Sequence, residues 1–146
     1  MKKVLVVFVV LLVAGMFLTG CSSWKPLKQS DVSFADEMVE NVLLAHNEGN
    51  YEKWAKYMGE EMLKDMPKEK FVELYEKAVG SKIGKYIPGS KTFLAAAVDK
   101  NGIILVQYMA RFEKDNPVKL TFTFKEENGQ KKIVGEFYDS QKLRGK

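Results

Sequence analysis

The apolar residues of this chain change their spacing once, at Gly89, and this change limits the folds that the chain can form. Before Gly89 they recur at every third or fourth position, which is typical of helices. After it they alternate, which is typical of strands with one buried face. Helices followed by consecutive strands predict an α+β fold, in which the helices cover one face of an antiparallel sheet.

Three helices are predicted in the first part of the chain. The first begins at Ser33 and ends at Gly49, because glycine often follows the last turn of a helix. Asn50 is placed to cap the second helix. Pro67 suits the first turn of the third, which we expect to end at Gly80.

Four strands are predicted after the helices, at Lys91–Val98, Ile103–Phe112, Val118–Glu126 and Lys131–Asp139. We expect them to form a curved antiparallel meander, because turn signals separate them. Asn101-Gly102 and Asn128-Gly129 are each typical of a two-residue hairpin turn, and residues 113–117 are expected to form a longer loop.

These turns predict which side chains face the helices. Phe122 is expected opposite Gly135, and a slip of one residue would turn every side chain of a strand to the other face. Glu136 is then expected on the outer face, near Lys119. The inner face carries large apolar side chains and one tyrosine, namely Val106, Tyr108, Ala110, Phe112, Leu120, Phe122, Phe124, Ile133 and Phe137.

The N-terminal segment has the layout of an export signal. Two lysines precede the uncharged, mainly apolar segment Val4–Leu18, which is shorter than the roughly 20 residues that span a bilayer. The sequence LTGC at the end of this segment, closing at Cys21, resembles the bacterial lipobox. In that motif the peptide is cut before the cysteine, which is then lipidated.

The lipobox resemblance implies three parts of the chain. Residues 1–20 are the cleaved signal peptide, residues 21–30 are the lipidated Cys21 and a polar tether, and residues 31–146 are the α+β domain. The resemblance also implies that lipid anchors the domain to the outer side of a bacterial membrane, with inner and outer membrane left open. An uncleaved signal anchor is the alternative, and it places the domain on the same side.

The composition excludes several classes of function. Cys21 is the only cysteine, so the chain cannot form an internal disulfide, and lipidation leaves no thiol for catalysis or metal binding. The formal net charge is +4, and Lys2 and Lys3 of the signal supply two of these charges. The remaining excess is small and unclustered, so nucleic acid is not an expected partner. We expect no metal and no cofactor.

Two segments carry a resemblance to a known fold family. The second predicted helix with its approach, EGNYEKWAKYM, and the last strand, KKIVGEFYD, stand in an order of elements that resembles the nuclear-transport-factor-2-like, or cystatin-like, cone superfamily. The resemblance covers residues 31–143 and implies a cone whose sheet wraps the first helix, sometimes with a pocket at the open end. It implies no particular reaction, because relatives include dehydratases, isomerases, cyclases and binding modules.

His46 and Tyr108 are the candidate ligand-binding or catalytic residues. His46 is the only histidine and lies on the apolar stripe of the first helix, and Tyr108 is the only polar residue predicted on the inner face of the sheet. Because Glu136 is predicted outside, no inner carboxylate is expected to orient His46. A buried histidine and a core tyrosine are the alternative interpretation.

The outer face of the first two strands is predicted to be apolar. With a two-residue turn at Asn101-Gly102, three cross-strand pairs share that face: Leu94 with Met109, Ala96 with Gln107, and Val98 with Leu105. Such a patch favours a contact surface, and relatives in the cone superfamily commonly form dimers through this face. Cover by the chain's own termini is the alternative.

The sequence therefore favours a lipid-anchored, non-enzymatic binding module for a small apolar ligand or a protein partner. One alternative is a small lyase- or isomerase-like enzyme that uses His46 with Tyr108. Another is a structural homodimer of the cell envelope. An open cavity around His46 would favour a ligand-binding protein or an enzyme over the assembly role.

Overall fold

The computed structural model of the chain describes residues 23–145, so the predicted signal peptide and Cys21 lie outside the described residues. The α+β class is confirmed. The helices are α1 Ser33–Glu48, α2 Tyr51–Ala55, α3 Glu60–Asp65, and α4, which joins Lys68–Phe71, a π-helical stretch Val72–Val79 and Gly80–Ile83. The strands are β1 Lys25–Leu27, β2 Thr92–Val98, β3 Ile104–Phe112, β4 Asp115–Glu127 and β5 Gln130–Asp139.

The sheet has five antiparallel strands in the order β1-β2-β3-β4-β5, whereas four were predicted. The additional strand, β1, lies in the segment that the sequence indicated as tether, and Lys25 pairs with Val98 at its start. A 3₁₀ turn at Gln29–Val32 follows and leads directly into α1. β1 has only three residues and includes Pro26, so it shows no alternation from which a strand could be predicted.

The observed helices agree in outline with those predicted from the sequence. Gly49 ends α1 with a φ of 62°, and the side chain of Asn50 caps α2 by accepting from the Lys53 N–H at 3.0 Å. The predicted end of the third helix at Gly80 was wrong, because Gly80 has a helical φ of −60° and the helix continues to Ile83. α3 was not predicted, since none of its six residues is buried and it has no apolar stripe.

The β4–β5 hairpin begins in the predicted register and then departs from it. Asn128 and Gly129 have φ values of 50° and 77°, which form the expected turn, and Phe124 pairs with Ile133. Thr123, the next residue of β4, then pairs with Gly135. One residue of β5 therefore has no counterpart in β4.

That extra residue, Val134, forms a β-bulge, and a bulge reverses the faces of the residues that follow it. Glu136 consequently pairs with Phe122 and points to the inner face, where its side chain is only 1% exposed. Phe137 points outward and is 63% exposed. The sequence-based placement of both residues was wrong for this single reason.

The β2–β3 turn also differs from the predicted one. It has three residues, because Asp99 and Ile103 still form a backbone hydrogen bond across it, and Gly102 takes a φ of 81°. The register is therefore shifted by one residue, and Ala96 pairs with the buried Val106. The prediction that Ala96 and Val98 belong to the outer patch was wrong: both lie on the inner side of β2.

The remaining members of the predicted patch keep the outer face, but they pair differently. Met109 lies opposite Thr92, and Leu94 sits at a second bulge and is 48% exposed. Leu105 pairs with Ala97, whereas Val98 was its predicted partner. Gln107 pairs with Ala95, whereas Ala96 was its predicted partner. The outer surface is therefore less continuous than the sequence indicated.

The β3–β4 register is shifted by two residues from the predicted one. β4 begins at Asp115, inside the predicted loop, and Ala110 pairs with Val118. Because the shift is even, each side chain keeps its face. All the predicted inner residues except Phe137 are buried, and α1 packs on them, with the Phe34 ring edge-on to Phe124 at 5.2 Å.

The two faces of β5 can be distinguished by alanine substitutions. We expect Phe137→Ala to lower the free energy of unfolding by less than about 1 kcal/mol, since most of the ring already contacts water. Phe122→Ala, in the fully buried core, should cost about 3–5 kcal/mol. Urea unfolding of both variants measures the difference, and equal losses would mean that Phe137 lies inside and the bulge is absent.

Candidate functional site

A buried carboxylate, Glu136, lies on the inner face of the edge strand β5 and accepts four hydrogen bonds. The Trp54 indole N–H donates to Oε1 at 2.6 Å. His46 Nε2 and the Tyr75 hydroxyl lie 3.0 and 3.1 Å from Oε2, and the Tyr138 hydroxyl lies 3.4 Å from the same atom. A buried charge requires such partners, because it has lost its contacts with water.

The four donors come from four separate elements of the fold. His46 lies in the last turn of α1, Trp54 in α2, Tyr75 in the π-helical stretch of α4, and Tyr138 two residues after the carboxylate in β5. Each is placed inward by its own local periodicity, and the Val134 bulge brings the acceptor to them. The cluster therefore joins the helical layer to the last strand of the sheet.

The imidazole of His46 is held by stacking as well as by Glu136. Its ring centroid lies 3.6 Å from that of Tyr75 at an interplanar angle of 27°, and 5.4 Å from that of Phe71. A carboxylate accepts hydrogen bonds, so Nε2 is the donating nitrogen in the contact with Glu136. The other nitrogen, Nδ1, is buried and has no hydrogen-bond partner among residues 23–145.

The carboxylate also affects the tyrosines beside it. Burial raises the pKa of Tyr75 and of Tyr138 well above the usual range, and the negative charge of Glu136 raises the pKa of both further. Both hydroxyls therefore remain protonated near neutral pH and act as donors to the carboxylate.

A pocket of about 400 Å³ opens beside this cluster, between α1, α4 and the β3–β4 turn. Its floor is mainly aromatic and apolar, formed by Leu43, His46, Tyr75, Tyr86, Phe112 and Tyr138. Its mouth is charged, formed by Glu48, Glu76, Lys85, Glu113 and Lys114. The wall at Tyr86 is fixed because Asn47 both donates to the Tyr86 carbonyl and accepts from its N–H, each at 2.8 Å.

The structure does not bring the two sequence-predicted site residues together. The Tyr108 hydroxyl donates to Asp36 at 2.8 Å, Lys91 lies 5.2 Å from the centre of its ring, and the residue does not line the pocket that His46 lines. Burial and the Asp36 carboxylate raise the pKa of Tyr108. Tyr108 therefore belongs to a separate polar cluster at the side of α1.

The group that orients His46 was not predicted from the sequence, although one signal could have revealed it. Regular alternation along β5 through Val134 would place Glu136 outside and leave no carboxylate on the inner face. An isolated glycine inside a strand pattern, here Gly135, often marks a bulge. A bulge before Gly135 would have placed Glu136 inside and exposed Phe137.

Within residues 23–145, no group of three or more potential metal ligands is found. None of the helices in this part of the chain is long and apolar enough to cross a membrane. Compared with protein-family models, curated proteins and solved structures, the chain matches none of them.

The role of the carboxylate can be tested by an isosteric change. We expect Glu136→Gln to lower the free energy of unfolding by about 2–4 kcal/mol, because the amide accepts fewer hydrogen bonds and turns its NH₂ toward other donors. In a double-mutant cycle with His46→Phe, the two substitutions should show a coupling free energy of about 1–3 kcal/mol. Urea unfolding measures both quantities.

The matched control for this prediction is Glu126→Gln on the same hairpin. Glu126 is exposed and forms a surface ion pair with Lys131 at 3.2 Å, so the change should cost less than about 1 kcal/mol. A Glu136→Gln protein that unfolds at the same urea concentration as the wild type would contradict the described network.

The buried tyrosines predict a loss of stability at high pH. Burial raises the pKa of Tyr86 to about 12 and raises those of Tyr75, Tyr108 and Tyr138 as well, whereas an unfolded tyrosine ionises near pH 10. The folded state keeps protons that the unfolded state releases. The stabilisation is therefore complete below about pH 10 and is lost as the pH rises above it.

Tyr138→Phe removes one of these groups and should make the alkaline loss of stability shallower. Urea unfolding of the wild type and the variant at several pH values between about 8 and 11 measures the slope. Parallel slopes would show that Tyr138 ionises in the folded state as readily as in the unfolded chain.

Proposed function

We propose that this chain is a lipid-anchored extracytoplasmic protein whose domain binds a small apolar ligand without chemical turnover. The pocket beside His46 is the observation that carries the proposal. The order of helices and strands supports our further proposal that the domain is a cone of the nuclear-transport-factor-2-like type. The sequence LTGC at Cys21 supports the lipid anchor.

The size and lining of the pocket favour a small organic ligand. A volume of about 400 Å³ lies within the range of about 300–1,000 Å³ that is usual for such sites. The aromatic floor provides apolar contact, and acidic and basic side chains of both signs surround the mouth. The mixture of signs at the mouth favours a neutral ligand over a strongly charged one.

The chemistry of the floor favours binding over catalysis. A general base must present a free nitrogen or oxygen to its substrate. Both oxygens of Glu136 already accept hydrogen bonds from the protein, and His46 Nε2 is directed at Glu136. Because His46 Nδ1 is buried, the imidazole offers no accessible nitrogen to the pocket in this conformation.

An enzyme that uses His46 is the second candidate, and Glu136 is the observation that favours it. A carboxylate that holds one nitrogen of a histidine orients the ring and stabilises its charged form, as in many catalytic pairs. In such an enzyme Nδ1 would be the base, and the side chains that bury it would have to move to expose it. Tyr108 has no part in this candidate, because its hydroxyl is bonded to Asp36.

A homodimer through the outer face of the sheet remains a prediction. The surface that would carry it includes Leu94, Leu105, Gln107 and Met109, and the outward-facing Phe137 enlarges it. Ala96 and Val98 cannot contribute, because they lie on the inner side. The open pocket at His46 favours the binding proposal over a purely structural role, since a structural domain has no need of a cavity.

Binding in the pocket can be tested with the neutral fluorescent probe N-phenyl-1-naphthylamine. We expect saturable binding to the wild type and little binding to Val79→Trp, because Val79 lines the pocket and the larger ring fills it. Leu74→Trp on the same helix is the control, since Leu74 is 38% exposed and lies outside the pocket. Fluorescence titration measures both, with circular dichroism to confirm the fold.

The control also identifies a competing site. Leu74 lines a groove between α4 and β5 together with Phe137 and Leu143, and Val79 borders this groove as well as the pocket. If Leu74→Trp reduced binding as much as Val79→Trp, the probe would be in that groove. Absence of saturable binding to the wild type would argue against a ligand-binding pocket.

The lipid anchor can be tested by labelling cells that express the chain with a radioactive fatty acid. We expect the wild type to incorporate the label and Cys21→Ala to incorporate none and to keep its signal peptide, because the thiol is the site of attachment. Ser22→Ala is the matched control and should be labelled normally. Equal labelling of wild type and Cys21→Ala would refute the lipoprotein proposal.

A further inference from the structure

β1 determines where the chain enters the domain. Lys25 pairs with Val98, and the same row of the sheet continues through Ile104 and Phe124 to Ile133. This row lies at the end of the sheet that carries the β2–β3 turn and the β4–β5 turn. We call it the entry end, and define it by Trp24, Lys25 and residues 99–103 and 125–131.

The entry of the chain is held firmly to the rest of the fold. Leu27 packs against the core, and Val32, at the end of the following 3₁₀ turn, is 1% exposed. The Asp31 carboxylate also accepts the Lys28 N–H at 2.8 Å. β1 is therefore fixed to β2 on one side and to the α1 start on the other.

The distance from this entry to the predicted lipid is short. Cys21 precedes Lys25 by four positions, and an extended chain spans at most about 3.6 Å per residue. Lys25 must therefore lie within about 14 Å of a lipidated Cys21. This is an upper limit, and where the chain between them is not fully extended, charges near Lys25 come within one Debye length, about 8 Å, of the lipid headgroups and interact with them.

The pocket opens at the opposite end of the sheet. Its mouth includes Glu113 and Lys114 of the β3–β4 turn, and β3 runs from Ile104 at the entry end to Phe112 beside that turn. Eight steps at about 3.3 Å place the mouth about 26 Å farther along the strand. The pocket mouth and the chain entry are therefore well separated.

The side chains of the entry end suit an anionic phospholipid surface. Trp24 is 37% exposed there, and tryptophan is favoured at the boundary between lipid and water. The exposed lysines Lys25, Lys100 and Lys125 form no ion pair within residues 23–145, and Lys131 pairs with Glu126. The other two acids of the entry end accept hydrogen bonds from backbone N–H groups, Asp99 from Asn101 and Ile103 and Glu127 from Glu60, so lysines outnumber acids at this end by four to three. Unpaired lysines close to an anionic leaflet are attracted to it.

We propose that the entry end rests on the anionic phospholipid headgroups and that the pocket mouth faces the aqueous phase on the far side of the domain. The ligand then reaches the pocket from water and not from the bilayer. The short connection from Cys21 to β1 holds this orientation, and the entry-end lysines add to it. The inference rests on the lipid anchor proposed above.

The orientation can be measured on the full chain with two single-cysteine variants. Lys100→Cys lies in the β2–β3 turn and Lys114→Cys in the β3–β4 turn, at the two ends of β3, and both positions are exposed. Each lipidated protein is labelled with a maleimide fluorophore and reconstituted in vesicles of phosphatidylethanolamine and phosphatidylglycerol. A lipid with a nitroxide on its headgroup then quenches fluorophores that lie at the surface.

We expect the fluorophore at position 100 to be quenched several-fold more strongly than the one at position 114. Equal quenching, or stronger quenching at position 114, would overturn the proposed orientation. The wild-type chain tests the anchor separately, because a lipidated Cys21 has no free thiol and should take up no maleimide. Labelling of the wild type would show that the anchor is absent, and it would refute the proposed orientation as well.

A longer connection provides the matched control. Ten Gly/Ser residues inserted between Ser22 and Ser23 leave the anchor, β1 and the entry-end charges unchanged, but they add about 17 Å to the average reach. We expect the difference in quenching between positions 100 and 114 to shrink in this protein. A difference that survives the insertion undiminished would overturn the short connection as its cause.

Discussion

The architecture depends on one buried carboxylate. The side chain of Glu136 is 1% exposed, and it is stabilised only because α1, α2, α4 and β5 each direct one donor at it. Loss of one donor would leave a partly unsatisfied charge in the core, which costs more free energy than a neutral hydrogen bond contributes. The cluster therefore specifies how the helices sit on the sheet, and it also forms part of the pocket floor through His46, Tyr75 and Tyr138.

The class of the fold could be predicted from the sequence because it depends on many residues together. The change of period at Gly89, the caps at Gly49 and Asn50, and the Asn128-Gly129 turn all act locally, and the structure confirms each. The site could not be predicted in the same way. It depends on a single inserted residue, Val134, and one such residue reverses every side chain after it. The wrong placement of Ala96 has the same kind of cause, because the turn before β3 has three residues and not two. Each additional residue in a turn or bulge shifts the pairing of all residues beyond it.

The proposed lipid anchor and the positions of the pocket and β1 together imply how the domain is oriented at the membrane. The polar cluster keeps His46 engaged with Glu136 at the floor of the pocket, which suits a binding site better than a catalytic one. β1 was hidden from sequence analysis by its length, yet it determines the side of the domain from which the chain leaves toward Cys21. The pocket and the entry of the chain into the domain therefore lie at opposite ends of β3. A protein built in this way would present its pocket to the medium around the membrane.

The most direct test of the central claim is a nuclear Overhauser measurement on the domain comprising residues 23–146. The chain has two tryptophans, so only two indole N–H signals need to be assigned. The Trp54 Nε1 atom lies 2.6 Å from Glu136 Oε1, and its proton should therefore show Overhauser contacts with the side-chain protons of Glu136. Contacts between the Trp54 indole proton and the ring of Phe137, with none to Glu136, would mean that β5 has no bulge and that the carboxylate faces water.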